Sequence, residues 1–311
     1  MQIFTCPESA TPVYFDNLNC ACGAALGYDP EAGQFVAPFE PCKNRDAIGC
    51  NWIASAPGGL CAACTMTRTH PDLTIAEHGG MWARAEAAKR WVLATLAVWG
   101  WLRADDLGPR PTFDILGERT AGGHAAPVMG HAEGHVTINA AEADPAEIIR
   151  RREEFGEPQR TMVGHFRHEI AHFLFWRLSA NPEVLGEFRA RFGDERADYG
   201  EALQAYYANG PRPDWQSDHI TAYAAAHPHE DWAETLAHAL LLTDMLESAR
   251  AAGVAHPAGA GDWVTDALEV GLALNHVNRA AGIEDVYPFV VSNGVRRKLA
   301  FAMEIITRGP R

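Results

Sequence analysis

Gly164-His165-Phe166-Arg167-His168-Glu169-Ile170-Ala171-His172-Phe173-Leu174-Phe175-Trp176 carries two patterns at once. At about 100° per residue, His165, His168, Glu169, His172 and Trp176 fall on one arc of a helix. Phe166, Ile170, Phe173 and Leu174, with Val163 just upstream, fall on the other. One face is suited to packing and the other to chemistry. His168 and His172 stand four residues apart, so their rings lie one turn apart on the same face. There, two neutral imidazoles can bind one zinc ion. Glu169 is close to both in angle and can serve as general base toward a zinc-activated water. Pro158 suits a first helical position and Ser179-Ala180-Asn181-Pro182 suits a stop, which predicts a helix over 158–178. The His-Glu-x-x-His pattern fixes only three positions, so its meaning depends on a third ligand downstream.

Three arrangements supply such a ligand. A histidine six residues after His172, preceded by a glycine, is ruled out by Phe175 and Leu178. An aspartate within a Gly-Thr-x-Asp-x-x-Tyr-Gly segment is nearly met by Gly193-Asp194-Glu195-Arg196-Ala197-Asp198-Tyr199-Gly200. Arg196 occupies the ligand position there, which leaves Asp198 as runner-up. A glutamate on a later helix, followed by an acid four residues on, is met by Glu230-Asp231-Trp232-Ala233-Glu234, with His238 on the same face. In that arrangement Glu230 binds zinc, and Glu234 hydrogen-bonds the far nitrogen of a ligand histidine and fixes its tautomer. The competing reading of these acids is a solvated helix start, favoured by the helix dipole. Tyr223 stands seven residues before Glu230. Some glutamate zincins carry a tyrosine there, whose hydroxyl can donate to a developing oxyanion.

The rest of the chain frames this centre. Hydrophobic residues make up 47% of the 311 and charged residues 21%, a globular composition. The net charge is −14, and residues 1–80 hold only Lys43, Arg45 and Arg68 against eight acids, which argues against nucleic acid or anionic membrane as partner. The most apolar stretch, Trp91 to Leu102, is too short for a bilayer. The start, Met1 to Cys6, lacks the basic stretch and apolar run of a secretory signal, so a cytoplasmic location is expected. All seven cysteines lie between positions 6 and 64, and clustered thiols in a reducing compartment point to metal.

Residues 1–69 read as short strands and turns, and Thr69 to Gly80 as a linker. A helix is expected over 81–102, and strands at 111–116 and 135–139. Helices are expected over 145–154, 182–191, 195–208, 216–226, 229–249 and 262–281, with another near the C-terminus. His135 to Asn139 is expected to form an edge strand along which an extended peptide pairs.

Several segments together resemble one family, the bacterial zinc-ribbon-containing zinc-binding metallopeptidases. They are Cys22-Gly23 with Leu26-Gly27-Tyr28, Cys50-Asn51-Trp52, Cys61-Ala62-Ala63-Cys64, Gly156-Glu157-Pro158 and Gly164 to Glu169. Phe192-Gly193-Asp194, His227-Pro228, Glu230 to Glu234, Asn278-Arg279 and Tyr287-Pro288-Phe289 complete the set. The resemblance runs almost end to end. It implies a zincin fold, peptidase chemistry and a peptide or protein substrate. This chain departs from the family twice: Ser9 stands where the first Cys-x-x-Cys would close, and Cys20-Ala21-Cys22 is one residue short of the second.

Cys6, Cys20 and Cys22 therefore offer three thiolates, while Cys42, Cys50, Cys61 and Cys64 form a set of four, the number structural zinc prefers. The pairing stays open, because ribbon knuckles can interleave. The expectation is an α+β protein: a small zinc-ribbon-like β module (1–69) followed by an α-rich, zincin-like metallopeptidase domain (70–311). It would hold one catalytic and one structural zinc, with a further ion at Cys6/Cys20/Cys22 in doubt. A non-peptidase zinc amide hydrolase and a non-catalytic, zinc-stabilised interaction protein are the alternatives.

Overall fold

The computed structural model describes residues 2–120, 122–124, 126–157, 159–254 and 262–310. Two compact units divide the chain, one ending at Phe166 and the other beginning at Arg167.

The first unit starts with two small antiparallel hairpins, β1 (Phe4–Thr5) with β2 (Pro12–Val13) and β3 (Gly27–Asp29) with β4 (Gln34–Val36). Such short strands cannot hold a fold by their ladders alone. Phe4, Phe15, Tyr28 and Phe35 pack edge-on beneath them, with ring centroids 5.0–5.6 Å apart in four of the pairs. Two one-turn helices, α1 (Arg45–Ile48) and α2 (Ala62–Thr65), carry the chain past the second group of cysteines.

β5 (Thr67–Thr69) then leads to a long helix, α3 (His78–Ala97). It begins three residues earlier than the sequence suggests and stops five earlier. Gly100 and Leu102 adopt positive φ (86° and 62°), and the Leu102 amide bonds Asp106 Oδ2 at 2.8 Å, so the chain turns out of the helix. Inside α3 the fully buried Lys89 and Glu86 pair at 2.9 Å.

β6 (Thr112–Leu116) enters a four-stranded sheet, a hairpin of β7 (Arg119–Thr120) and β8 (Gly123–His124) follows, and β9 (Gly130–Ala132) and β10 (His135–Asn139) complete the sheet in the order β5-β6-β10-β9. The β6–β10 pair is parallel and β10–β9 antiparallel. Phe113, Ile115, Val136 and Ile138, alternating along the two strands, are fully buried on one face. His135–Asn139 is thus an inner strand, not an edge: β9 pairs with it from His135 to Thr137 and itself forms the rim. The sequence hides this because β9, Gly-His-Ala, has no strand-like apolar pattern.

After β10, Asp144 caps α4 (Pro145–Phe155). α5 (Met162–Leu178) follows and continues into the second unit. It starts four residues later than expected, and Pro158 lies outside the described residues. Thr161 Oγ1 accepts from the Gly164 amide at 2.9 Å and supplies the N-cap.

The second unit is helical: α6 (Pro182–Phe192), α7 (Tyr199–Asn209), α8 (Pro228–Ala251), α9 (Trp263–Ala280) and α10 (Asn293–Thr307). Asn181, Asp198, Asp262 and Ser292 accept amide hydrogens at the starts of α6, α7, α9 and α10. The helix expected over 216–226 is instead two 3-10 turns, 215–217 and 223–226. α8 is the axis of the unit, with Leu236, Ala239 and Leu242 fully buried. Among the described residues, no helix is long and apolar enough to cross a membrane.

Candidate metal centre

α5 presents His168 and His172 to α8. Their ring centroids lie 4.8 Å apart, and the two Nε2 atoms approach to 3.1 Å. The opposite face of α5 is its packing face: Phe166, Ile170, Phe173 and Leu174 are fully buried. Trp232, on α8, donates its indole N–H to the Ala171 carbonyl at 2.9 Å, which fixes the register of the two helices beside His172.

The start of α8 is set by His227. Its Nδ1 accepts from the His229 amide at 3.1 Å, so the ring proton sits on Nε2 and is donated to Ala197 O at 3.0 Å. Pro228 follows at the first helical position. These constraints place Glu230 in the first turn, 1% exposed. Its Oε2 lies 3.1 Å from His168 Nε2, and its Oε1 lies 3.5 Å from His172 Nε2. One turn on, Glu234 Oε1 accepts from His168 Nδ1 at 2.7 Å, and Glu234 Oε2 accepts from the Thr221 hydroxyl at 2.8 Å.

With its proton on Nδ1, His168 turns a lone pair toward Glu230 Oε2, a buried oxygen with no hydrogen-bond partner among the described residues. Lone pairs converging in a buried space call for a cation. The separations fit one. Ligands 2.0–2.1 Å from a tetrahedral zinc stand about 3.3 Å from one another. Here the two Nε2 atoms stand 3.1 Å apart, Glu230 Oε2 3.1 Å from His168 Nε2 and Glu230 Oε1 3.5 Å from His172 Nε2, and one ligand atom from each residue lies within 4.8 Å of the others. His168 Nε2, His172 Nε2 and a Glu230 oxygen therefore fit a single zinc ion.

The electrostatics agree. Burial pushes the Glu230 carboxyl up, but His168 and His172 outweigh it and hold the group far below the usual carboxylate range. Burial works against a charged His168, yet Glu230 and Glu234 outweigh it and raise the imidazole well above its ordinary value. The site favours positive charge.

Glu169 follows His168 on α5 and is 7% exposed. Tyr223 begins the second 3-10 turn, with its ring centroid 6.2 Å from that of His168. Burial first, then Glu230 and Tyr199, push its phenol well up, so it is a donor at neutral pH. Asp198, the runner-up ligand, caps α7 through the Glu201 amide at 2.8 Å and is outside the cluster. His238 is buried against Tyr287 and Phe289, and burial holds its imidazole down at about 4, hence neutral.

The residue after Asp198 is one the sequence reading passed over. Tyr199 donates its hydroxyl to Glu230 Oε1 at 2.7 Å. Burial, Glu230 and Glu169 all raise its phenol. Its only sequence signal was its place in the near-miss segment ending Asp198-Tyr199-Gly200. Thr221, which holds Glu234, had none.

The ribbon cysteines gather in two groups. Cys42, Cys50, Cys61 and Cys64 are all buried, with Cys50 Sγ 3.6 Å from Cys61 Sγ and 3.8 Å from Cys64 Sγ. Zinc–sulfur bonds of 2.3 Å place tetrahedral thiolates about 3.8 Å apart. The Cys61 and Cys64 amides donate to Cys42 and Cys61 Sγ at 3.3 and 3.4 Å, which suits thiolates. Cys6, Cys20 and Cys22 form the second group.

Two imidazoles and a carboxylate around one point, beside a buried glutamate, define the class: a zinc-binding protein with a hydrolase-type donor set. A family profile described as "Putative zinc-binding metallo-peptidase" matches residues 78–305, and one described as a zinc-ribbon domain matches residues 31–75. The chain belongs to this zinc-binding metallopeptidase family. Uncharacterized proteins of Mycobacterium tuberculosis and Mycobacterium bovis are 34% identical to it over 328 aligned positions, covering 98% of this chain and 95% of theirs. No solved structure matches the chain.

Proposed function

We propose that the chain cleaves peptide bonds in a peptide or protein substrate, with a catalytic zinc held by His168, His172 and Glu230. The observation that carries this is the convergence of the two Nε2 atoms and a buried Glu230 oxygen beside Glu169. A bound zinc ion supplies Lewis acidity and makes water acidic enough to attack near neutral pH.

The chain's own residues do the rest. Glu169 takes the proton of the attacking water and passes it to the leaving amine. Glu234 holds His168 in the tautomer that leaves Nε2 free, and Thr221 holds Glu234. Tyr199 ties down Glu230 Oε1 and so orients the carboxylate. Tyr223, with its phenol protonated at neutral pH, donates to the oxygen that gains charge. In this reading residues 70–311 form the catalytic domain, and residues 1–69 form a ribbon whose Cys42, Cys50, Cys61 and Cys64 hold a structural zinc.

The test is peptide-library hydrolysis by the zinc-loaded chain. Glu169→Gln should abolish cleavage while zinc content and melting temperature stay unchanged. Cleavage by Glu169→Gln at the parent rate rejects the mechanism. A loaded parent chain that leaves every peptide intact rejects the peptidase assignment.

A further inference from the structure

The ribbon match begins at residue 31, and the cysteines ahead of it meet in a cluster of their own. Two tight turns build it. In the first, the Ala10 amide bonds Cys6 O and the Cys6 amide bonds Thr11 O, with Ala10 at φ 58°. In the second, the Gly23 amide bonds Cys20 O and the Cys20 amide bonds Ala24 O, with Gly23 at φ 92°.

These turns gather three thiols, with the Ser9 hydroxyl beside one of them. Cys6 and Cys22 Sγ lie 3.9 Å apart, and the three thiol sulfurs all lie within 4.8 Å of one another. Ser9 Oγ lies 3.5 Å from Cys20 Sγ. It also donates to Thr11 Oγ1 at 2.9 Å, which fixes its rotamer toward the cluster. Cys6 and Cys20 are buried while Cys22 is exposed. The 3.9 Å between Cys6 and Cys22 Sγ is close to the roughly 3.8 Å of tetrahedral zinc thiolates. A lone disulfide would use two of the sulfurs and leave the third without a role.

We propose that Cys6, Cys20, Cys22 and Ser9 form a second, exchangeable metal site in the N-terminal module. It would take a thiophilic divalent ion of the zinc type, with the Ser9 hydroxyl at the fourth position. Three thiolates give affinity for soft and borderline ions. A neutral hydroxyl is a far weaker donor than the thiolate it replaces, and the exposed Cys22 gives chelators and incoming thiols a path to the ion. The four buried cysteines further along the ribbon offer neither weakness. The two sites of one small module therefore differ in exchange rate, the first fast and the second slow.

The experiment uses the full chain, purified under reductant without oxygen and loaded with Zn2+. Zinc is counted by elemental analysis, release to a chromogenic chelator is followed in time, and alkylated cysteines are mapped by mass spectrometry with and without Zn2+. The expected result is a fast-release phase of one ion per chain. Zn2+ should protect Cys6, Cys20 and Cys22 from alkylation. Cys20→Ala should lose that phase and one ion, with the slow phase kept as the sign of an intact fold. Ser9→Cys, which adds a thiolate without removing a ligand, should slow the phase about 10-fold or more, and Ser9→Ala should speed it.

Equal alkylation of the three cysteines with and without Zn2+ overturns the site, as does a Cys6–Cys22 disulfide in the loaded protein. An unchanged release rate in both Ser9 variants overturns the role of Ser9. All of these readouts are independent of peptide cleavage, so failure here is distinct from failure of the peptidase reading.

Discussion

Glu234→Ala is the perturbation that most directly separates a zinc ligand from its support. Glu234 makes two hydrogen bonds, accepting from His168 Nδ1 at 2.7 Å and from Thr221 Oγ1 at 2.8 Å. The first joins a half-buried carboxylate to an imidazole whose other nitrogen faces Glu230 at 3.1 Å. A charge-assisted hydrogen bond of this kind contributes about 1.5–3 kcal/mol. Losing it should free the His168 ring to rotate and change tautomer, and zinc affinity should fall by about 10–100-fold, or about 1.4–2.7 kcal/mol. Glu230→Ala removes a donor outright, and its loss should exceed that of Glu234→Ala. Thr221→Val touches only the outer end of the chain of hydrogen bonds and should cost less than Glu234→Ala. The assay is competitive zinc titration against a chelator of known affinity, at one pH, on all three variants. The order Glu230→Ala, Glu234→Ala, Thr221→Val from most to least damaging is the expected outcome. If Glu234→Ala strips zinc and Glu230→Ala does not, the roles of the two glutamates are reversed. If neither variant moves the affinity, the helix-borne histidines must find their third ligand elsewhere, and Asp198 becomes the first residue to mutate.

His172→Ala should lose the catalytic zinc together with activity, whereas Glu169→Gln should lose activity alone; metal analysis alongside peptide cleavage separates the two. Tyr199→Phe removes the bond to Glu230 Oε1 and should weaken zinc binding about 10-fold. Tyr223→Phe should leave zinc affinity unchanged and lower kcat by about 10²–10³, and the opposite pattern in the pair would exchange their roles. In the first unit, burial raises the Glu142 carboxyl, but His165, Arg160 and Arg151 outweigh it and hold the group far below its usual range. Its stabilising contribution is therefore complete above the unfolded value of about 4.5 and is lost as pH falls through the lower folded value. Glu142→Gln should cost about 3 kcal/mol near neutral pH and flatten the acid limb of the stability profile; urea unfolding at several pH values reads both, and an unaltered acid limb would show that Glu142 does not carry that linkage.

The elements that were legible in the sequence are those whose periodicity comes from burial. β6 and β10 bury every second residue, Phe113, Ile115, Val136 and Ile138, and their alternation marks them. α8 was expected over 229–249 and runs Pro228–Ala251, with two acids in its first turn. The misses share a cause. β9 is Gly-His-Ala, a rim strand held by backbone hydrogen bonds to β10, and backbone bonds leave no side-chain pattern. The 3-10 turns at 215–217 and 223–226 contain Trp and Ala residues that suit a helix equally well. The end of α3 hinges on positive φ at Gly100 and Leu102, and a leucine in that conformation cannot be anticipated from its identity.

Spacing singled out His168, His172, Glu230 and Glu234, with Glu230 expected as ligand and Glu234 as support by analogy of arrangement, while Tyr199 and Thr221 left no comparable signal. Spacing places Glu230 and Glu234 one turn apart on one helix face, and at that level either carboxylate suits either role. What distinguishes them is which end of one imidazole each meets. Glu230 meets His168 at Nε2, and Glu234 meets it at Nδ1. A neutral imidazole has one N–H and one lone pair. If Glu234 takes the hydrogen, the lone pair points at Glu230 and His172, where the buried Oε2 has no hydrogen bond among the described residues. Reversing the roles would aim the N–H at Glu230, leaving no lone pair there for a shared cation, and would set the Nδ1 lone pair against a carboxylate oxygen 2.7 Å away whose group already accepts from Thr221, a repulsive contact. Tyr199 adds to the same side of the argument, because it occupies Glu230 Oε1 at 2.7 Å and leaves Oε2 for the shared cation. The hydrogen-bond directions around His168 therefore favour Glu230 as ligand and Glu234 as support.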